Sequence, residues 1–200
     1  NMSINQLQFP LDFKFHIATI SNDFSVTDAQ GQSVFYVREK MFTWRDRIKV
    51  YSDAKQTELL YELTSNKLID FQQTFTITNK NGNIVGKARR KTLKSFWTAT
   101  FHIYDAADNH IFTIQERSGL VRLLDGMVGK IPILGFFTGY IFNPKYVLKD
   151  LKNTELMEMA KKPSFFGRKF KLENYKAQPE HYELFILSYM MLLIADRDRG

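Results

Sequence analysis

The chain has 200 residues, a formal net charge of +7 and a pI near 9.5, a size that fits one domain with a sizeable core. It contains no cysteine, which excludes a disulfide framework, thiolate metal sites, a cysteine nucleophile and S-palmitoylation. A basic surface attracts phosphate-bearing partners such as anionic lipid or nucleic acid, and it serves plain solubility equally well.

Asn1 precedes Met2, which reads as the natural start. The residues that follow, Ser3-Ile4-Asn5-Gln6, lack the basic and apolar regions of a signal peptide. Alternating apolar residues, clearest in Phe13, Phe15, Ile17 and in Phe75, Ile77, predict strands near 12–20, 22–28, 32–39, 45–52, 58–64, 72–78, 83–90, 96–104 and 110–117. A weak repeat runs through this region. Segments beginning at Phe24, Ile48, Phe75 and Phe101 each lead into a polar turn, and the turn residues Asp28, Asp53, Asn79 and Asp105 fall 25, 26 and 26 residues apart. Asp and Asn suit turns because their side chains bond the nearby backbone, and Gly31 and Gly82 can take positive φ. Each unit therefore reads as a β-hairpin plus a link, and the series as a meander that closes on itself.

The pattern then changes. Leu120, Val121, Leu124, Met127 and Val128 recur at helical spacing and predict a short amphipathic helix over 118–128. Residues 131–137 are apolar but too rich in Pro and Gly for a long helix. Strands resume near 138–150, 154–161 and 165–173. After a polar linker, Pro179 marks the start of a last helix, about 180–196. Its run 184–195 is apolar but for Ser188, so this helix has no face to give to water. Twelve residues make about 18 Å of helix, against about 30 Å of bilayer hydrocarbon. It is therefore read as buried in protein, not in a membrane. About twelve strands and one all-apolar helix predict a mainly β fold: a single domain over 2–200, built as a closed barrel around a central C-terminal helix. Closure removes sheet edges, and a barrel of this size is too wide for strand side chains alone to fill.

The repeated hairpins, the run Phe35-Tyr36-Val37-Arg38-Glu39-Lys40-Met41-Phe42-Thr43-Trp44-Arg45-Asp46-Arg47 and the terminal apolar helix resemble the LURP-one-related family. That family belongs to the Tubby C-terminal-like superfamily, with phospholipid scramblases as relatives. The resemblance implies a barrel of about a dozen strands around a hydrophobic C-terminal helix. It also implies a lipid connection, since tubby-type domains bind phosphoinositides and scramblases move lipids. A fold hosts many functions, however.

The densest basic cluster is Lys87, Arg89, Arg90, Lys91 and Lys94. On a strand, Lys87, Arg89 and Lys91 share one face, while Gly86, Ala88 and Arg90 take the other, with Arg90 and Lys94 expected to escape at the strand end. This set is the candidate lipid- or phosphate-binding site. The competing reading is a solvated barrel exterior, with Gly86 and Ala88 making room for the central helix. A second basic group, Lys161, Lys162, Arg168, Lys169 and Lys171, surrounds Phe165, Phe166 and Gly167. Cations among aromatics suit a membrane interface, although such aromatics also serve as core. Ile131, Ile133, Leu134, Phe136 and Phe137 form the candidate membrane-contact loop, or else pack over one end of the barrel.

Positions 105–116 carry acidic residues where a calcium loop begins and ends, but Ala107 and His110 occupy a ligand position and the glycine position, so the segment reads as a hairpin. His16, His102, His110 and His181 lack metal-ligand spacing, and no nucleophile elbow or phosphate loop is present. No catalytic residue, metal or cofactor is expected, nor is nucleic acid as a partner. The expectation is a non-enzymatic, cytoplasmic binding module, peripheral to the membrane, that recognises anionic phospholipid or phosphoinositide head groups. The alternatives are a scramblase-like protein or a scaffold for an unknown protein partner.

Overall fold

The computed structural model describes residues 4–16, 23–38, 47–67, 73–91, 100–117, 145–163 and 168–197. Twelve strands follow in order: β1 Leu11–His16, β2 Asp23–Thr27, β3 Ser33–Val37, β4 Arg47–Tyr51, β5 Leu59–Lys67, β6 Gln73–Asn79, β7 Ile84–Lys91, β8 Thr100–Tyr104, β9 His110–Arg117, β10 Lys145–Asp150, β11 Glu155–Lys162 and β12 Lys169–Asn174. Each pairs antiparallel with its sequence neighbours, and β1 closes on β12 to make a barrel. All twelve overlap the strands read from the sequence. The predicted helix at 118–128 lies outside the described residues.

Alternation places one face of each strand inside. Leu11, Phe13 and Phe15 of β1 point inward with Phe24 and Val26 of β2 and Phe170 and Leu172 of β12, and all are buried. The lumen is filled by helix α1, Tyr182–Arg197, preceded by a 3-10 turn, Pro179–His181, with proline in its first turn. Residues 184–194 of α1 are buried all round. At about 1.5–3 kcal/mol for each large apolar side chain, the helix is a principal source of stability. The polar interruption is satisfied within the helix, where the Ser188 hydroxyl donates to the Leu184 carbonyl at 2.7 Å. Buried Tyr189 ties the helix to the wall, its hydroxyl lying 3.1 and 3.3 Å from the carbonyl oxygens of Tyr146 and Met157. No helix among the described residues is long and apolar enough to cross a membrane.

Where the helix approaches β7, the strand gives up its side chain. A Cβ on Gly86 would sit 2.6 Å from Leu184 Cδ1 and 2.7 Å from the Tyr104 carbonyl oxygen. Ala88, two residues on, is fully buried. These two small residues seat the helix, as the periodicity of β7 predicts.

The barrel has two unlike ends. At the first, hereafter the hairpin end, the connections are short turns built on one device. Oδ1 of Asp28 accepts from the backbone N–H of Gln30 and Gln32 at 3.0 and 2.8 Å. Asn79 does the same for Asn81 and Asn83, Asp105 for Ala107 and Asn109, and Asp150 for Lys152 and Thr154. Asp53 accepts from the Thr57 hydroxyl at 2.7 Å. Between β12 and α1, Asn174 accepts from the Ala177 N–H and donates to the Tyr182 hydroxyl. Gly31 and Gly82 adopt positive φ, 78° and 83°. An N-terminal 3-10 turn, Ile4–Gln6, which the sequence pattern did not suggest, comes before the buried Leu7 and before Phe9, whose ring meets that of Tyr182 edge-on at 4.9 Å. The connections at the opposite end, 17–22, 39–46, 68–72, 92–99, 118–144 and 164–167, lie outside the described residues.

Candidate anion-binding end of the barrel

The strand termini separate the two ends by charge. At the end opposite the hairpins, seven of the twelve terminal strand residues are basic: Arg47, Lys67, Lys91, Arg117, Lys145, Lys162 and Lys169. One, Asp23, is acidic. At the hairpin end none of the twelve is Lys or Arg, and Asp150 and Glu155 are acidic. The hairpin turns add Asp28, Asp53, Glu58, Asp105 and Asp108 to that end, against Lys55, Lys80 and Lys152.

Several cations at the basic end are already neutralised. Arg47 pairs with Glu62 at 3.5 Å, Lys145 with Glu158 at 3.2 Å, and Arg117 with Glu155. The wall formed by β1, β12 and β11 differs. Lys14 lies directly opposite Lys169, and Lys169 directly opposite Lys162. All three are exposed on the outer face, beside exposed Arg168. None has an ion-pair partner among the described residues. Like charges directly opposite one another across strands are destabilising, so this row costs the fold something and gains it nothing. Its members come from the second basic group, joined by Lys14, which is 148 residues from Lys162 in sequence. Only the closure of β1 on β12 makes them neighbours. Lys171 belongs to the same wall but faces Asp12.

The cluster around β7 is divided instead of gathered. Lys87 and Arg89 point outward and are both engaged. Lys87 pairs with Asp108 at 3.2 Å. The Arg89 guanidinium lies 4.8 Å from the Tyr104 ring centroid, and its Nε donates to the Thr74 hydroxyl at 3.3 Å. Arg90 does not escape at the strand end. It takes the lumen face with Gly86 and Ala88 and is 8 % exposed, because at that register the outer face belongs to its neighbours. The side chain of Lys91, the whole of Lys94, and the loop residues Ile131, Ile133, Leu134, Phe136 and Phe137 lie outside the described residues, as does 39–46 around Trp44.

Other polar constellations are local. The 105–109 turn spends its Asp105 carboxylate on backbone N–H groups and Asn109, in keeping with a hairpin. No cluster of metal-ligating residues occurs among the described residues. His16 Nε2 lies 3.1 Å from the Ser25 hydroxyl, and Asp23 stands opposite His16. The Asp23 carboxylate, however, engages Tyr36, whose pKa burial and that hydrogen bond raise to about 12. His102 and His110 stack at 4.3 Å between centroids on the outer face of β8 and β9.

Over residues 62–133 the chain matches the family model for LURP-one-related proteins. The match begins in β5, runs through β9 and continues beyond it. It lies downstream of the 35–47 run and short of α1, and takes in the hairpins that begin at Phe75 and Phe101. No curated protein and no solved structure matches the chain. The LURP-one-related match and the closed barrel with its enclosed helix give the fold type. They assign no ligand.

Proposed function

We propose that this LURP-one-related barrel is a non-enzymatic binding module that docks its basic end on anionic phospholipid surfaces. The observation that carries the reading is the charge asymmetry of the strand termini, seven basic residues at one end and none at the other. The exposed row Lys14, Lys169, Lys162 supplies cations with no ion-pair partner among the described residues. A Lys or Arg close to an anionic membrane contributes about 1 kcal/mol, so the row accounts for roughly a hundredfold in affinity. Topology favours the same end. The 118–144 connection, which holds the apolar stretch 131–137, leaves from Arg117 at the end of β9 and returns at Lys145 at the start of β10. Basic residues flanking an apolar segment suit the membrane interface. The acidic hairpin end would be repelled and so orients the barrel.

Co-sedimentation with phosphatidylserine vesicles tests the proposal. The protein pellets at low salt, is released at high salt, and ignores phosphatidylcholine vesicles. The triple variant Lys14→Gln, Lys162→Gln, Lys169→Gln stays in the supernatant. Binding indifferent to salt, or unchanged in the triple variant, contradicts the reading.

A further inference from the structure

The lumen of the barrel is apolar except for a few groups, and one of them is the guanidinium of Arg90, whose Nε meets no partner among the described residues. Arg90 is 8 % exposed. Its guanidinium lies 5.8 Å from the Phe101 ring centroid, at the outer limit of a cation–π contact. No carboxylate whose side chain is described is in ion-pair range of it; the side chain of Asp196, in the last turn of α1, lies outside that set. The inward neighbours Phe75, Ala88 and Phe101 are apolar and buried. Along β7 the side chain lies four residues from Gly86, roughly 13 Å toward the basic end, beside the C-terminal half of α1.

A buried guanidinium is tolerated when an anion neutralises it and fills its donors, and an uncompensated one is strongly destabilising. Its planar fork fits the oxygens of a phosphate in a two-pronged arrangement. We infer that Arg90 is the floor of a phosphate-binding site inside the basic end of the barrel. The ligand is a phosphate monoester group, free or borne on a lipid, admitted from the side where the outer lysines concentrate anions. This site is separate from the Lys14, Lys169, Lys162 row, so either can fail without the other. The row acts on a membrane surface, whereas Arg90 takes a single group out of water.

The test compares the full chain with Arg90→Met, which keeps an unbranched apolar stem as far as the position of Nε and removes the charge. Inorganic phosphate well above its Kd raises the melting temperature of the wild-type protein by about 2–6 °C over chloride of equal ionic strength. It leaves Arg90→Met where chloride leaves it. Without phosphate, Arg90→Met melts at the same temperature as the parent or higher, since it loses an unpaired buried charge. Arg90→Lys, which keeps the charge without the fork, shows a reduced phosphate shift and serves as the reference should the methionine variant fail to fold. Vesicles containing phosphatidic acid identify the source. If the lipid phosphate is the ligand, they bind the parent more tightly than Arg90→Met. If a free phosphate is the ligand, they bind both alike while the melting shift persists. Equal phosphate shifts in parent and variants overturn the inference. So does an Arg90→Met protein that melts well below the parent with no phosphate effect in either, since the counter-charge would then lie within the chain. Retained sedimentation of Arg90→Met with phosphatidylserine vesicles leaves the membrane-docking proposal standing in every case.

Discussion

The hairpin end and the basic end are made from the same twelve strands, yet they spend their polar groups in opposite ways. At the hairpin end, Asp28, Asn79, Asp105, Asp150 and Asn174 turn their side chains onto nearby backbone N–H groups. At the basic end, Lys14, Lys169 and Lys162 stand in a row without ion-pair partners among the described residues, and Arg90 is buried with its Nε unpaired among them. The hairpin-end groups serve the fold through backbone bonds, although Asp28 Oδ2 is also buried without a partner among the described residues, whereas the exposed lysine row gives the fold no such bond. Substitutions should therefore separate stability from binding according to the end they strike.

The largest effect falls on what both ends share. A chain ending at Gln178 lacks α1 and leaves the inward faces of twelve strands without a partner. It is expected not to fold, as followed by circular dichroism and thermal melting, and a soluble truncation with a cooperative melt would refute that. Gly86→Val forces a Cβ against the Tyr104 carbonyl oxygen and Leu184, with an expected loss of about 3 kcal/mol or more in urea denaturation. Next come the turns. Asp28→Ala removes a buried acceptor of two N–H bonds and should cost about 1.5–3 kcal/mol, against about 1 kcal/mol for the neutral and half-buried Asn79→Ala.

Acid sharpens the contrast. Hydrogen bonds hold the carboxyl groups of Asp53, Asp105 and Asp150 below their ordinary values, chiefly from the Thr57 hydroxyl, the Asn109 N–H and the Thr154 N–H respectively. A depressed folded-state pKa means that the unfolded chain binds the proton more readily. The stabilisation from these turns is thus complete above the usual carboxylate range and is lost as pH falls below about 4. The melting temperature of the parent should drop through that window. Replacing all three residues by Asn should flatten the drop, and an unchanged profile would mean the turns do not contribute in this way. Smallest of all is the stability effect of the lysine triple variant, within about 0.5 kcal/mol of zero, although it is expected to abolish vesicle binding.

The fold was largely legible because alternation and the Asx turns repeat. Asp28, Asp53, Asn79 and Asp105 mark four hairpins at almost constant spacing, and an apolar run broken by a single serine requires enclosure. Asp150 and Asn174 continue the same device. They escaped notice because 118–144 interrupts the period before them. The candidate site was less legible. Local density drew attention to Lys87 and Arg89, which the fold spends on Asp108 and Tyr104. The unpaired row depends on Lys14, brought to Lys169 by barrel closure, and no local pattern encodes that pairing. Arg90 could be assigned a face from its strand period, but its lack of a partner depends on what surrounds it in three dimensions.

The central claim is that the basic end, and not the hairpin end, faces a membrane. A chain without cysteine makes the direct measurement simple. A fluorophore is attached through Pro163→Cys beside Lys162 in one protein and through Asn81→Cys in the β6–β7 hairpin in another, and each is mixed with phosphatidylserine vesicles carrying a quencher on the lipid. The account predicts strong quenching at position 163, reversed by salt, and little at position 81. Equal quenching at the two positions, or stronger quenching at 81, would contradict it.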